Sequence, residues 1–217
     1  MMQNGMIPEE WVVSYAAGSL SEAHALVVAS HIDYHPEIQK KLADAEAIGG
    51  LLLENNEMTP VSHDMFNDIL GRLDEETTSI PQKTETKSES NLPKSLTNYI
   101  NGDLSDLKWK TMGPGLSQVR LWTGPNDERL WLLRAKAGTT IPMHDHRNLE
   151  LTLVLQGSYQ ADGERFKPGM IEVADEHTYN HQPIIDEGEE CICLVVTEAP
   201  IKIHGLIGKF VQPFIGL

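Results

Sequence analysis

The sequence predicts an α+β chain in two domains, a small helical bundle followed by an all-β barrel. Three observations carry this reading. Apolar residues recur at three- and four-residue spacing from Pro8 to about Asp74. After roughly residue 100 the apolar period becomes two, with glycine turns between short runs. Between these stretches lies a polar run with little apolar content. The predicted division is 1–76 helical domain, 77–98 linker and 99–217 barrel, and a chain of 217 residues has room for two small domains.

Pro8 suits a first helical position, and Trp11, Val12, Tyr15 and Ala16 share one face before Gly18 ends the helix. Ser19-Leu20-Ser21-Glu22 reads as a capping box that opens a second helix through Ala25, Leu26, Val27, Val28 and Ile32. Pro36 starts a third, with Ile38, Leu42, Ala45, Ile48 and Leu52 at helical spacing. A fourth follows Pro60-Val61-Ser62, striped by Met65, Ile69, Leu70 and Leu73. Residues 75–94, rich in Ser, Thr, Lys and Glu, are expected to form a flexible tether. Leu130, Leu132 and Leu133, then Leu149–Leu155, Met170–Val173 and Cys191–Val196, read as strands. Turns are expected at 124–126, 161–163 and 168–169, and strands at this spacing without helices between them indicate a barrel or sandwich.

The net charge of −15 is unevenly placed. Residues 1–76 hold 14 acidic against 3 basic side chains, whereas 95–217 hold 16 against 11. Such an acidic first third repels phosphate backbones, so direct nucleic-acid binding is not expected. It would steer a basic protein partner, or be merely a solvated acidic surface. Apolar stretches fall well short of the roughly 20 residues of a membrane span. The start, MMQNGMIPEEW, lacks the basic flank and apolar core of a secretory signal. The two cysteines, Cys191 and Cys193, are too close in sequence for a disulfide framework, and a reducing cytoplasm is the expected setting. They are either two small buried side chains or an oxidisable pair on one strand face.

The densest chemistry is Gly138-TTIPM-His144-Asp-His146-RNL-Glu150-LTLVLQ-Gly157. Residues i and i+2 of a strand point to one side, so His144 and His146 can reach one ion. A short bend would bring in the Glu150 carboxylate. Imidazole with carboxylate suits Zn, Fe(II), Mn, Ni or Cu(II) rather than Ca or Mg. A fourth ligand from a neighbouring strand is His181 or His177, of which His181 is preferred. His24, His63 and His204 stand alone and are read as surface or satisfied residues.

The stretch 138–157 resembles the first cupin motif, G-x5-H-x-H-x3-E-x6-G, at every fixed position. Pro168-Gly169 followed by His181 resembles a loosened second motif. The resemblance implies a cupin, or double-stranded β-helix, barrel holding one divalent metal on His144, His146, Glu150 and His181. Beyond it, Tyr15-Ala16-Ala17-Gly18, Ala29-Ser30-His31, Ala174-Asp175-Glu176, Cys191-Ile-Cys193-Leu-Val-Val and the ending LIGKFVQPFIGL resemble the ChrR group of anti-sigma factors over nearly the full chain. That resemblance implies a cytoplasmic regulator, not an enzyme. It would bind an extracytoplasmic-function sigma factor 1:1 and release it on an oxidative, singlet-oxygen-like signal sensed through the cupin. It implies zinc as the metal, with Fe2+, Mn2+ or Ni2+ compatible with the same donors. The alternative is a metal-dependent cupin enzyme of dioxygenase or isomerase type whose helical segment mediates assembly.

One departure stands out. The first domain of that group typically holds zinc on an upstream His and an H-x3-C-x2-C motif. The corresponding positions here are Met6, His31, His35 and Ile38. Ile38 has no donor atom and a thioether binds zinc poorly, so this degenerate site is expected to be zinc-free. The bundle would then need its own apolar core or a partner helix. Met65, Phe66, Ile69 and Leu70 of the fourth helix are the expected partner-facing residues.

Overall fold

A computed structural model describes residues 5–62, 64–73, 91–125, 127–199 and 202–203. The helices are α1 (Glu9–Ala16), α2 (Glu22–Tyr34), α3 (Pro36–Glu54), α4 (Met65–Leu73) and α5 (Lys94–Ile100). Pro36 opens α3 with no amide to leave unpaired. The cap of α2 is Ser21 rather than Ser19, its hydroxyl accepting from His24 N at 3.3 Å. His63 and His204 lie outside the described residues.

The strands are β1 (Lys110–Gly113), β2 (Leu116–Thr123), β3 (Arg129–Ala135), β4 (His144–Asp145), β5 (Glu150–Gln156), β6 (Tyr159–Ala161), β7 (Glu164–Phe166), β8 (Ile171–Ala174), β9 (Ile184–Ile185), β10 (Cys191–Thr197) and β11 (Lys202–Ile203). A six-stranded antiparallel sheet runs β1-β2-β3-β10-β5-β8. A three-stranded sheet β7-β6-β9 and the pair β11-β4 complete the β domain. The four expected strand runs correspond to β3, β5, β8 and β10, with ends shifted by one or two residues.

The helical layer lies on the outer face of the six-stranded sheet, with α2 against β5 and β10. Strand alternation divides the side chains between two cores. Leu130, Leu132, Leu151, Leu153, Leu194 and Val196 join Val12, Ala23, Val27, Val28 and Ile32 of the helices. Trp131, Val154, Cys191, Cys193 and Val195 face the barrel interior with Tyr159 and Phe166. All seven residues of β10 are therefore buried, and its unbroken apolar run reflects a strand covered on both faces. Each fully buried Val, Leu or Ile contributes about 1.5–3 kcal/mol, an upper figure because unfolded chains already bury some surface.

The linker boundary at residue 98 requires correction at its C-terminal end, whereas residues 77–90 lie outside the described set. Lys94–Ile100 is helical and packs on α2. Leu96 is fully buried in the shared core, Ser95 N donates to Asp33 Oδ2 at 2.7 Å, and Tyr99 Oη donates to Glu22 at 2.8 Å. Polar composition hid a helix that needs only one buried leucine face to dock.

Candidate metal centre

His144 and His146 lie on and just after β4, and His181 faces them across a bridge whose two backbone amides exchange hydrogen bonds, at 3.0 and 2.9 Å. One ring nitrogen from each of the three histidines lies within 4.8 Å of the others. All three are buried. His144 Nδ1 donates to Pro142 O at 2.8 Å, and His181 Nδ1 donates to Asp162 Oδ2 at 3.1 Å. Those bonds orient both rings with Nε2 toward the cluster, where the neutral His144 presents a lone pair. His146 Nε2 is buried with no hydrogen-bond partner among the described residues, an orphan that a cation would satisfy. The donor set therefore fits a divalent transition metal.

Two carboxylates flank the imidazoles. Glu150, at the start of β5, places Oε2 3.7 Å from His146 Nδ1, and Thr152 Oγ1 donates to its Oε1 at 3.3 Å. Glu172 on β8 places Oε2 3.6 Å from His181 Nε2 and accepts from Tyr159 Oη at 2.6 Å. Neither joins the three-histidine cluster at its 4.8 Å limit, so a carboxylate must swing to ligate with all three. The expected His177 alternative lies elsewhere, its side chain exposed beside Asp175.

The electrostatics suit metal uptake. Burial, then the neighbouring imidazoles, push His146 down to about 3. Burial is also the largest influence on His144, which is lowered to about 4. Both rings thus stay neutral with free lone pairs. Burial alone would lower His181, but the Glu172 and Asp162 carboxylates outweigh it and raise it to about 9. Burial raises Glu150 to about 7. A bound cation would reverse the last two by electrostatic competition for the protons.

Sequence reasoning missed Glu172, Tyr159 and Asp162. Glu172 carried a signal, as the one acidic residue within the apolar run Met170–Val173. Its inward placement depends on β8 pairing with β5, where Glu172 faces Thr152.

The second histidine pair has a different fate. His31 is fully buried in α2, and Nε2 accepts from Ile7 N at 3.3 Å. His35 Nε2 donates to Gly169 O at 2.9 Å, across to the barrel, and Nδ1 lies 3.2 Å from Glu37. Ile38 is buried and Met6 packs on the core where the implied zinc site would need donors. The lone His24 is buried, its Nδ1 within reach of Ser21 (2.9 Å) and Glu128 (2.8 Å), while Nε2 has no hydrogen-bond partner among the described residues and lies 3.6 Å from Glu198. Met65, Phe66, Ile69 and Leu70 are all exposed.

Fold and site together define a cupin barrel, with a buried three-histidine cluster that allows a metal, carrying a helical layer. The family model for the ChrR cupin-like domain matches residues 98–200. Anti-sigma-E factor ChrR of Cereibacter sphaeroides is 35% identical over 208 residues, 96% of either chain. The crystal structure of Rhodobacter sphaeroides SigE in complex with the anti-sigma ChrR matches with a TM-score of 0.73 and 34% identity, over 88% of this chain and 97% of that one. The chain belongs to the ChrR family of anti-sigma factors.

Proposed function

We propose that this chain sequesters an extracytoplasmic-function sigma factor in a 1:1 complex through α3 and α4. It releases that factor when oxidative damage reaches the metal-bearing barrel. The observation that carries the first part is the apolar surface left open on these two helices. Ile48, Leu51, Leu52 and Leu53 of α3, and Met65, Phe66, Ile69 and Leu70 of α4, are exposed, with Phe66 at 69% and Leu52 at 67%. Single exposed apolar residues need no explanation, but eight on two helices that follow one another in the chain mark an interaction surface. The acidic surroundings favour basic, DNA-contacting regions of a sigma factor and would keep them from polymerase. The relatives named above are regulators, and this chain is read as one rather than as an enzyme. No described helix is long and apolar enough to cross a membrane.

For the sensing half, support comes from β8. Glu172 reaches the metal centre, while residues just before it hold the helical layer: Ile171 N donates to Gly5 O at 2.9 Å, and Gly169 O accepts from His35. Gly169 has φ +86°, and a Cβ there would lie 3.2 Å from Tyr34 Cβ. The barrel and helices thus share one short, sterically tight segment. The metal, zinc by family likeness, would brace His144, His146, Glu150 and His181 and lend a Lewis-acidic centre.

The test is co-expression with the sigma factor encoded nearest the gene. A 1:1 complex is expected, abolished by Phe66→Asp with Ile69→Asp. Singlet oxygen generated by a photosensitiser should dissociate the wild-type complex, while the His146→Ala complex persists. Failure of the purified chain to bind any sigma factor of its genome would overturn the reading.

A further inference from the structure

Oxidisable sulfur is unevenly placed between the helical layer and the barrel. Cys191 and Cys193 are both buried, their sulfurs 3.7 Å apart on β10. The hydrogen bond between them, then burial, holds the Cys193 thiol well above its ordinary value, so it presents little of the reactive thiolate. Met6, Met112 and Met170 are half-buried and packed against the two cores. Among the described residues the exposed thioethers are those of Met58, Met65 and Met143, at 96%, 46% and 37%.

Two of these three stand beside the apolar surface of α3 and α4. Met58 lies in the connection between the two helices. Met65 opens α4, its amide donating to Ser62 O at 3.2 Å, and sits one turn before Ile69, with Phe66 and Leu70 alongside. A thioether suits such a face, being apolar and able to adapt to a partner. Its sulfoxide does not, because the added oxygen is a polar acceptor that an apolar partner cannot match.

We propose that Met65, together with Met58, is a reversible oxidation site through which hydroperoxides weaken the hold of the free chain on its sigma factor. The inference rests on the sigma-binding reading above and concerns the same face. In the reaction one peroxide oxygen passes to the methionine sulfur. The O–O bond breaks and an S–O bond forms. Sulfur loses two electrons, and the hydroperoxide keeps its proton on the departing oxygen as an alcohol, or as water from hydrogen peroxide. A bound partner covers Met65, so oxidation belongs to the free chain. It keeps a released factor from being recaptured until a methionine sulfoxide reductase restores the thioether.

The experiment treats the metal-loaded full chain with limiting hydrogen peroxide, alone and in complex with its sigma factor. Peptide mass spectrometry should find sulfoxide at Met58 and Met65 of the free chain ahead of Met6, Met112 and Met170, with Met65 protected in the complex. The oxidised chain should bind the factor roughly tenfold more weakly or worse, with its metal content unchanged, and reductase treatment should restore the affinity. In Met58→Leu with Met65→Leu, the ratio of affinities before and after peroxide should fall to about one, whatever the starting affinity. Equal affinity of the wild-type chain before and after oxidation would overturn the proposal. So would a fall in affinity that follows metal loss, failure of the reductase to reverse it, or undiminished sensitivity of the double variant. Reductase rescue of the wild-type chain decides the matter where the variant binds too weakly to measure. An untreated chain that binds no sigma factor would instead remove the sigma-binding reading, and this inference with it.

Discussion

His31 and His35 in the helical layer, and His144, His146 and His181 in the barrel, are both close groups of imidazoles. The ring centroids lie 4.4 Å apart in the first group and between 4.9 and 5.2 Å in the second. Their outer bonds separate them. In the barrel, Pro142 O and Asp162 occupy the far nitrogens, so the near ones converge and carboxylates stand beside them. In the helices, His31 Nε2 and His35 Nε2 are engaged by Ile7 N and Gly169 O, His31 Nδ1 has no partner among the described residues, and the neighbouring positions hold Ile38 and Met6, which offer no zinc donor. A histidine becomes a ligand through what holds its second nitrogen and what stands next to its first. The helical pair serves instead as core and as a latch to the barrel.

The largest expected effect follows directly from this contrast. His144→Ala with His146→Ala should abolish metal retention by the full chain in elemental analysis after gel filtration. His31→Ala with His35→Ala should leave one metal bound. Metal loss in the helical double variant alone would reverse the assignment of the two groups.

The next effect is on stability against pH. Burial, followed by the proximity of His35, lowers His31 to about 4 from its ordinary value of 6.5. The folded state therefore binds fewer protons than the unfolded state between these values, and stability rises with pH across the window. The contribution is complete above about 6.5 and lost as pH falls through about 4, on the order of 3 kcal/mol in all. Denaturant unfolding of wild type and His31→Gln at several pH values should show a shallower acid slope in the variant. Parallel slopes would show that His31 is not the titrating group.

Smallest is the latch itself. His35→Ala removes the bond to Gly169 O and should cost about 1 kcal/mol of stability without changing metal content. A change in metal affinity here would extend the latch's influence along β8 to Glu172.

How far the sequence carried is clearest at particular residues. Met65, Ile69, Leu70 and Leu73 and the run Cys191–Val196 announced α4 and β10, because helical and strand periodicity are local properties of the chain. His144 and His146 are two residues apart, so their common side follows from strand geometry. Glu172 was not read as a site residue, because its inward facing depends on pairing with β5. The helix α5 was missed because Leu96 finds its apolar surroundings only in the shared core.

By itself, then, the sequence determined the helical and β halves, the acidic first third and the His-His-Glu core of the metal motif. All of these reside in spacing along the chain. Tertiary structure decided which histidine joined them, which carboxylates stand nearby and that α2 covers the back of the sheet. It also turned His35, just past the end of α2, toward a barrel loop. Those outcomes depend on strands and helices remote in sequence meeting in one register, and that register is set by burial of both faces of β10 and β5.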